Sequence, residues 1–460
     1  MSEGITVVRV ERMRFIKIFA LLLGLLVWTS ATAWAQGVTV IRDAEIEHSV
    51  RTFATPLFQA AGLNPNTLEI FLIEEDTLNA FVVPGGKMFL NTGLILRTEE
   101  PTQLMGVIAH ETGHIAAGHT FSRGDQVRNA TLKAIAGALL GLGAGLATGE
   151  SGAAAAGSII GQDMALRGLL SFTRGQENAA DQAAIDYMRS AGYSPQGLLD
   201  FMQIMEDQEA LMSSSQEPYL RTHPMTRDRV RALEQAVREY SGEAGDIEPE
   251  LARMHARMRA KLSGFLESER RVQRRYPESD TSVPARYARA ISDYRNGRLE
   301  RALDGMGALI EEHPNDAFFH EMRGQMLMEH GRLEEALPDY RTATELLPEE
   351  PLIRLSLAQV QVHLDRPEMN EAALENLAKV RAREDDNPTA WRLTAIARGR
   401  QGDKGRAALA LAEMNYARAE WREAVGQAER AKKLLDNSTP AWLRASDLSE
   451  AASRRADEQN

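Results

Sequence analysis

Two closely similar heptapeptides lie in the second half of the chain, and their spacing constrains the fold more than any other feature of the sequence. The segment GRLERAL begins at Gly297 and the segment GRLEEAL begins at Gly331, an offset of 34 residues. Pro314 and Pro348 keep the same offset. A unit of this length forms two helices joined by a turn and cannot bury its apolar face alone. Successive units therefore stack into an all-α solenoid with a concave surface.

Helix–turn–helix units with this period are typical of tetratricopeptide repeats. Pro388 follows Pro348 at a looser spacing, and residues 416–424 resemble the turn of a further unit. We therefore expect about four repeats with degenerate ends over residues 283–448, followed by a disordered tail at 449–460. Repeats of this kind bind other proteins, so this half of the chain is predicted to recruit partners rather than to carry out chemistry.

The motif His110-Glu111-Thr112-Gly113-His114 lies in an apolar, helix-like stretch of the first half. On a helix, residues four apart share a face, so His110 and His114 can direct both imidazoles at one ion. Zinc suits this pair and leaves a position open for water. Glu111 is offset beside that water, where a general base is needed. The alternative, an exposed helix with two unrelated histidines, is disfavoured by the apolar residues on both sides.

A site of this kind needs a third protein ligand. The best candidate is Glu177, which shares a helix face with Asp181, so that one carboxylate can bind the ion while the other orients a ligand imidazole. His119 follows His114 closely, but on a continuous helix it points away from both motif histidines. We expect His119 to pack or to support a ligand rather than to bind the ion. The chain contains no cysteine, so only His, Asp or Glu can hold a metal.

Length and charge narrow the class of protein. A chain of 460 residues predicts two or three domains. The net charge of -12 argues against nucleic-acid binding, because a nucleic-acid binder carries a basic footprint.

The first 35 residues have the pattern of a secretory signal peptide. A basic stretch ending at Lys17 precedes the apolar segment 18–27, and the tripeptide AWA at 33–35 resembles a cleavage site before Gln36. The apolar segment is short for a membrane span, although an uncleaved anchor is the alternative. Met13 is an alternative start. We expect an exported mature chain that begins near Gln36.

Periodicity places several elements before the motif. Residues 43–61 are predicted to be helical, and Pro56 either kinks or splits that helix. Strands are predicted at 68–73, 79–83 and 87–91, with the last two forming a hairpin. The open edge of this sheet either binds an extended peptide by strand addition or is purely structural.

Two later segments have unusual composition. Residues 131–170 are rich in Ala and Gly and predict two short helices packed beside the site, with contact at a membrane interface as the alternative. Residues 246–282 are predicted to be a helical linker. Its long charged helix over 247–275 is expected to present a solvated face and to end before Pro277.

Several of these stretches together resemble peptidase family M48, the gluzincin-type zinc metallopeptidases. They are Asn79-Ala80-Phe81, Pro84-Gly85-Gly86, Asn91-Thr92-Gly93-Leu94, the HETGH helix and the segment Glu177 to Asp181. The resemblance covers about residues 40–235 and implies an α+β peptidase domain, mostly helical with a small sheet, over residues 36–245. It implies one Zn²⁺ per chain held by His110, His114 and Glu177. It also implies Glu111 as the base and Asp181 as the partner of a ligand histidine.

The resemblance also singles out His223, in the tripeptide THP, together with Arg229. In the periplasmic branch of the family the matching histidine lies on a loop over the zinc, where it can occupy the open position and repress activity. From its own residues, His223 is a loop histidine before a proline, and that interpretation stays open. Besides zinc, the candidates for stabilising an oxyanion are Arg174, Arg229 and His223, which the sequence does not rank.

The resemblance to the periplasmic branch implies a zinc-dependent endopeptidase that degrades misfolded or stalled envelope proteins in outer-membrane quality control. The implied partners are unfolded or misassembled polypeptides and, through the repeats, the outer-membrane β-barrel assembly machinery. The implied location is the periplasm of a Gram-negative bacterium, with peripheral contact to the outer membrane as a further expectation. One alternative is a repeat-based chaperone or scaffold whose zinc site is repressed. Another is an integral membrane protease anchored by residues 18–34, with or without 131–170.

Overall fold

The computed structural model describes residues 39–83, 86–119, 172–211, 223–224, 226–240 and 247–458. The expected signal peptide at 1–35 and the expected helical pair at 131–170 lie outside the described residues. Within the described part of the chain, no helix is long and apolar enough to cross a membrane.

A small sheet and a group of helices make up the first half of the described chain. The strands are β1 Val40–Ile41, β2 Glu69–Ile73, β3 Ala80–Val83 and β4 Lys87–Asn91. The helices are α1 Ala44–Ala60, α2 Thr92–Arg97, α3 Pro101–Ala116, α4 Arg174–Ser190, α5 Gln196–Leu211 and α6 Arg227–Glu239. The predicted α+β class, mostly helical with a small sheet, is confirmed.

The sheet has the order β1-β2-β4-β3. β3 and β4 form the predicted antiparallel hairpin, β2 pairs with β4 in parallel, and β1 pairs with β2 in antiparallel. β1 was not predicted, because a strand of two residues carries no alternation that periodicity can detect. β3 lies at one edge of the sheet. Its partner in the hairpin, β4, leads directly into α2.

α1 is a single helix, and Pro56 lies inside it without splitting it. The side chain of Asp43 caps its first turn, where Oδ1 accepts the N–H of Ile46 at 2.9 Å. The apolar face of α1 includes Val50, Phe53 and Leu57, which are fully buried in the same core as α3.

α3 carries the HETGH motif and is packed closely by α4 and α5, because glycines lie at both contacts. A Cβ on Gly106 would be 2.8 Å from the backbone of Leu198 in α5. A Cβ on Gly113, inside the motif, would be 3.0 Å from the carbonyl oxygen of Ala180 in α4. The glycine of the motif therefore lets α4 approach the helix of the two histidines.

The expected linker forms two helices, α7 Pro249–Leu266 and α8 Glu269–Arg275, rather than one. Leu251, Met258 and Leu262 of α7 belong to the same core as α1 and α3. The predicted solvated face is confirmed for the basic cluster in α8, which is exposed. It is wrong for Arg257 and Lys261 of α7, which are buried. Sequence spacing shows that charges share a helix, but not that their partners lie on other elements.

The second half of the described chain is a stack of antiparallel helix pairs. The helices are α9 Val283–Arg295, α10 Leu299–Glu312, α11 Ala317–Glu329, α12 Leu333–Leu346, α13 Pro351–His363, α14 Pro367–Arg381, α15 Pro388–Arg400, α16 Lys404–Ala417, α17 Trp421–Leu434 and α18 Pro440–Glu458. Gly297 and Gly331 occupy the first turns of successive pairs with nearly equal φ of +75° and +74°. A left-handed residue at this turn favours glycine, which explains why the heptapeptide begins with it. The predicted all-α repeat solenoid is confirmed.

The expected disordered tail at 449–460 is wrong for the residues through Glu458, because α18 continues to that point. Leu448, Ser449 and Ala452 of this helix are buried, and Leu448 packs against Ala412 and Ala428. The last helix therefore covers the apolar face of the preceding pair, which a terminal repeat requires.

A buried cluster of charges joins α1 and α7 to the repeats. The ammonium of Lys261 lies 2.8 Å from Asp43, 3.5 Å from Glu45 and 3.5 Å from Glu321. Arg257 pairs with Glu45 at 2.7 Å and with Asp316. The hydroxyl of Tyr287 in α9 also donates to Glu45, at 2.8 Å. The peptidase half and the repeat half thus share a buried polar interface.

Candidate metal centre

α3 positions His110, Glu111 and His114, all of which are fully buried. The helix begins with Pro101 in its first turn, a position that suits proline because no intrahelical donor is lost there. The side chain of Gln103 folds back and accepts the backbone N–H of Glu100 at 3.2 Å. The two imidazoles share a face of this helix, as the spacing predicts, with their Nε2 atoms 3.2 Å apart.

α4 brings two carboxylates to the same point. The side chain of Thr173 caps this helix by accepting the N–H of Gln176 at 3.3 Å. Glu177 is buried, with oxygens 3.3 Å from His114 Nε2 and 3.5 Å from His110 Nε2. Asp181, one turn later, lies 2.9 Å from Nδ1 of His110. The spacing of four residues puts both carboxylates on one face, as the sequence predicts.

His223 lies in the middle of this cluster and is fully buried. Its Nδ1 lies 3.0 Å from Glu177 and 3.3 Å from His110 Nε2. Its Nε2 lies 3.5 Å from Glu111. The loop histidine singled out by the resemblance is thus beside the two motif histidines, more than a hundred residues from them in sequence.

Arg229 is buried and holds the two carboxylates of α4. Its guanidinium donates to Asp181 at 2.5 and 2.9 Å and lies 2.8 Å from Glu177. A further bond to the carbonyl of Pro224, at 2.9 Å, ties it to the His223 loop. Arg229 is therefore engaged by carboxylates, and Arg174 is exposed at the start of α4. Of the three oxyanion candidates, only His223 faces Glu111.

The prediction that His119 points away from both motif histidines is wrong for His114. α3 ends at Ala116 and does not continue to His119. The chain turns at Gly118, whose φ is +64°, and brings Nδ1 of His119 to 3.0 Å from Nδ1 of His114. His119 contacts the ring nitrogen of His114 that faces away from Glu177, and it is not in the group of donors that surround one point.

The donor atoms have the spacing of a metal site. One atom from each of His110, His114, Glu177 and His223 lies within 4.8 Å of all the others, and all four residues are buried. A tetrahedral zinc site with bonds of about 2.0–2.1 Å has ligand atoms about 3.3 Å apart. The contacts among the four residues given above range from 3.0 to 3.5 Å. The residues present therefore fit a tetrahedral metal ion.

Electrostatics favour a cation at this point. Burial lowers the pKa of His110, but hydrogen bonds with Asp181 and Glu177 outweigh burial and raise that pKa to about 10. The two carboxylates thus stabilise positive charge here, which a metal ion supplies as well as a proton does. Burial lowers the pKa of His114 to about 3, so its imidazole is neutral and offers a lone pair. Burial also raises the pKa of Glu111 to about 8, and neither of its oxygens has a hydrogen-bond partner.

The sequence did not point to Phe172. Its ring stacks on His114 with centroids 3.8 Å apart and an angle of 23° between the planes. No motif marks this residue, since it precedes α4 as one apolar residue among many.

Comparison with known proteins identifies the class. Residues 41–237 match the model for peptidase family M48, and residues 287–351 match a model for the tetratricopeptide repeat. The chain therefore carries a peptidase family M48 domain followed by tetratricopeptide repeats, and it is a metalloendopeptidase. This confirms the resemblance noted from the motifs.

Relatives that match most of the length of this chain are named beta-barrel assembly-enhancing protease. The protein from Yersinia pestis is 23% identical over 392 residues, which cover 81% of this chain and 76% of that protein. The protein from Escherichia coli strain K12 is 25% identical over 414 residues, covering 87% of this chain and 80% of that protein. A shorter part of this chain is similar to the mitochondrial metalloendopeptidase OMA1 of Schizosaccharomyces pombe. That similarity is 27% identity over 180 residues, covering 39% of this chain and 49% of that protein.

Proposed function

We propose that this chain is an exported zinc-dependent endopeptidase that degrades misfolded or stalled envelope proteins in outer-membrane quality control. The observation that carries the proposal is the group of four buried donor atoms, one from each of His110, His114, Glu177 and His223, that lie within 4.8 Å of one another, with the carboxylate of Glu111 beside it. One Zn²⁺ per chain, held by His110, His114 and Glu177, fits this group.

Each residue of the site has a definite task in the proposed reaction. When bound, the metal polarises the peptide carbonyl and makes the attacking water more acidic. Glu111 takes the proton of that water and passes it to the leaving amine. Its raised pKa, to about 8, suits a group that must both accept and release a proton near neutral pH.

Two further residues hold the site in place. Asp181 accepts the N–H of His110 and fixes the tautomer that leaves Nε2 free to bind. Arg229 binds Asp181 and Glu177 at once, so the two carboxylates stay aligned despite their like charge.

The name of the relatives, which refers to a protease and to β-barrel assembly, supports the proposed link to barrel assembly. We place this chain in the periplasm of a Gram-negative bacterium, with residues 1–35 as a signal peptide and with peripheral contact to the outer membrane. Its repeats, at 283–448, would recruit unfolded polypeptides or the β-barrel assembly machinery. The peptidase domain would extend over 36–245 and the helical linker over 246–282.

The position of His223 favours a second candidate function. Its Nδ1 stands among the donor atoms, so it can act as a fourth ligand in the place where water would otherwise enter. In that state the chain would act mainly as a repeat-based scaffold whose peptidase is repressed. A rearrangement of the His223 loop would then release the activity.

The test compares variants of the full chain for zinc content and for cleavage of an unfolded protein such as casein. Glu111→Gln should keep one zinc and lose cleavage by a factor of at least about 10². Glu312→Gln, an exposed change far from the site, serves as the matched control. His223→Ala should keep the zinc and raise cleavage if the repressed form is the resting one. Undiminished cleavage by Glu111→Gln would refute the proposed mechanism.

A further inference from the structure

The two motif histidines each have a ring nitrogen that faces away from the donor group. For His110 this atom is Nδ1, and it meets Asp181 at 2.9 Å. For His114 it is also Nδ1, and it meets Nδ1 of His119 at 3.0 Å. A ligand imidazole needs such a partner, because a hydrogen bond at the remote nitrogen fixes the tautomer and the orientation of the ring.

The direction of the bond between His114 and His119 follows from the site. Nε2 of His114 faces Glu177 and the other donors, so it must present a lone pair there, and the proton of the ring resides on Nδ1. Nδ1 of His114 is therefore the donor, and Nδ1 of His119 must be the acceptor. His119 then carries its own proton on Nε2 and adds no charge to a cluster that already contains two carboxylates.

The local fold holds this arrangement. Gly118 adopts a left-handed conformation just beyond the end of α3, which folds the chain back over the last turn of the helix. Phe172 stacks on the face of the His114 ring and restricts its tilt, while the bond to His119 restricts rotation within the plane of the ring. Two different contacts thus limit the two remaining motions of one ligand.

We propose that His119 is a positioning residue that orients His114 for metal binding by accepting its Nδ1–H. The inference rests on the proposed function, because it requires a metal ion at the site. Removing a partner of this kind weakens metal affinity by about 10 to 100-fold. The replacement His119→Asn should restore most of the affinity, because an amide oxygen can stand where Nδ1 stood.

The experiment measures Zn²⁺ affinity of the full chain by competition with a chromophoric chelator, together with the visible spectrum of the Co²⁺-loaded protein. His119→Leu should lose about 10 to 100-fold in affinity and change the Co²⁺ bands, and His119→Asn should approach the parent. His363→Ala, which removes an exposed histidine of the repeats, controls for non-specific metal binding.

The outcomes separate the two claims. If the parent binds no Zn²⁺, the proposed function fails and the role of His119 fails with it. If the parent binds Zn²⁺ and His119→Leu binds it equally well with the same Co²⁺ spectrum, only the role of His119 is refuted. Equal losses in His119→Leu and His119→Asn would also refute it, because a role in packing alone does not depend on an acceptor atom.

Discussion

Replacement of Lys261 by Met tests whether the buried charges between the two halves act as a connected cluster. Lys261 is 1% exposed and pairs with Asp43, which caps α1, and with Glu321 in α11. Methionine keeps the unbranched apolar stem and removes only the ammonium group. The variant therefore leaves buried carboxylates facing one another, with Arg257 as their remaining nearby cation.

The expected magnitude follows from burial. Removing one partner of a buried ion pair costs about 3–5 kcal/mol, because the remaining charge stays buried without compensation. The same change at an exposed pair costs only about 0–1 kcal/mol. Arg366→Met, which removes an exposed cation paired with exposed Glu334, is the matched control. Adding Glu321→Gln to Lys261→Met should recover part of the loss, because it removes one of the uncompensated charges.

The assay is urea unfolding at about pH 8, where Glu321 is largely ionised, combined with hydrogen exchange resolved by peptide. The loss should concentrate in the exchange of α1, α7 and α11, the elements that contribute the charges. Two results would refute the reasoning. One is a loss for Lys261→Met no larger than that for Arg366→Met. The other is a double variant no more stable than Lys261→Met alone.

Four further predictions concern the site, the end of the chain and pH. Gly113→Ala should lower the free energy of unfolding by about 1–3 kcal/mol and weaken zinc binding, because the added methyl meets Ala180 and pushes α4 away. The melting temperature and competition with a chelator measure these two effects. Asp181→Asn should weaken zinc binding by about 10 to 100-fold in the same competition assay, and unchanged affinity would contradict its role. Leu448→Ala should cost about 2–5 kcal/mol in urea unfolding, which a disordered tail would not show. Burial raises the pKa of Glu321 to about 7 from its usual 4.5. The folded protein therefore binds this proton more tightly than the unfolded chain does. The resulting stabilisation of the fold is fully present below about pH 4.5 and is lost as the pH rises through about 7. The urea midpoint should therefore rise when the pH is lowered from about 8 to about 6, and Glu321→Gln should reduce that rise.

The parts of the fold that sequence predicts well depend on local periodicity. His110 and His114 share a face because helix geometry repeats every 3.6 residues, and the same rule pairs Glu177 with Asp181. The offset between Gly297 and Gly331 predicts the solenoid for a similar reason, since each unit repeats one local design. In each case a pattern within a few dozen residues contains the relevant information.

The parts that sequence does not predict depend on contacts between distant elements. Arg257 and Lys261 look like residues of a solvated helix until Asp43 and Glu45 are placed beside them, some two hundred residues away in sequence. A continuous α3 that extends through Gly118 predicts the wrong direction for His119, because the helix ends at Ala116. Its contact with His114 depends on a turn that follows the motif, and no periodic pattern describes that turn.

The position of α1 has a consequence for synthesis of the protein. This helix is made early in synthesis, yet the carboxylates at its start pair with Lys261 and Tyr287, and its core is completed by α7. Contacts of such long sequence separation form late in folding, and a growing chain cannot form them before those residues have been synthesised. The core that α1 shares with α3 therefore stays incomplete until α7 has been made, and the carboxylate of Glu45 stays without the Tyr287 hydroxyl until the first repeat follows. The metalloendopeptidase is in this way kept incomplete while its own chain is still being made.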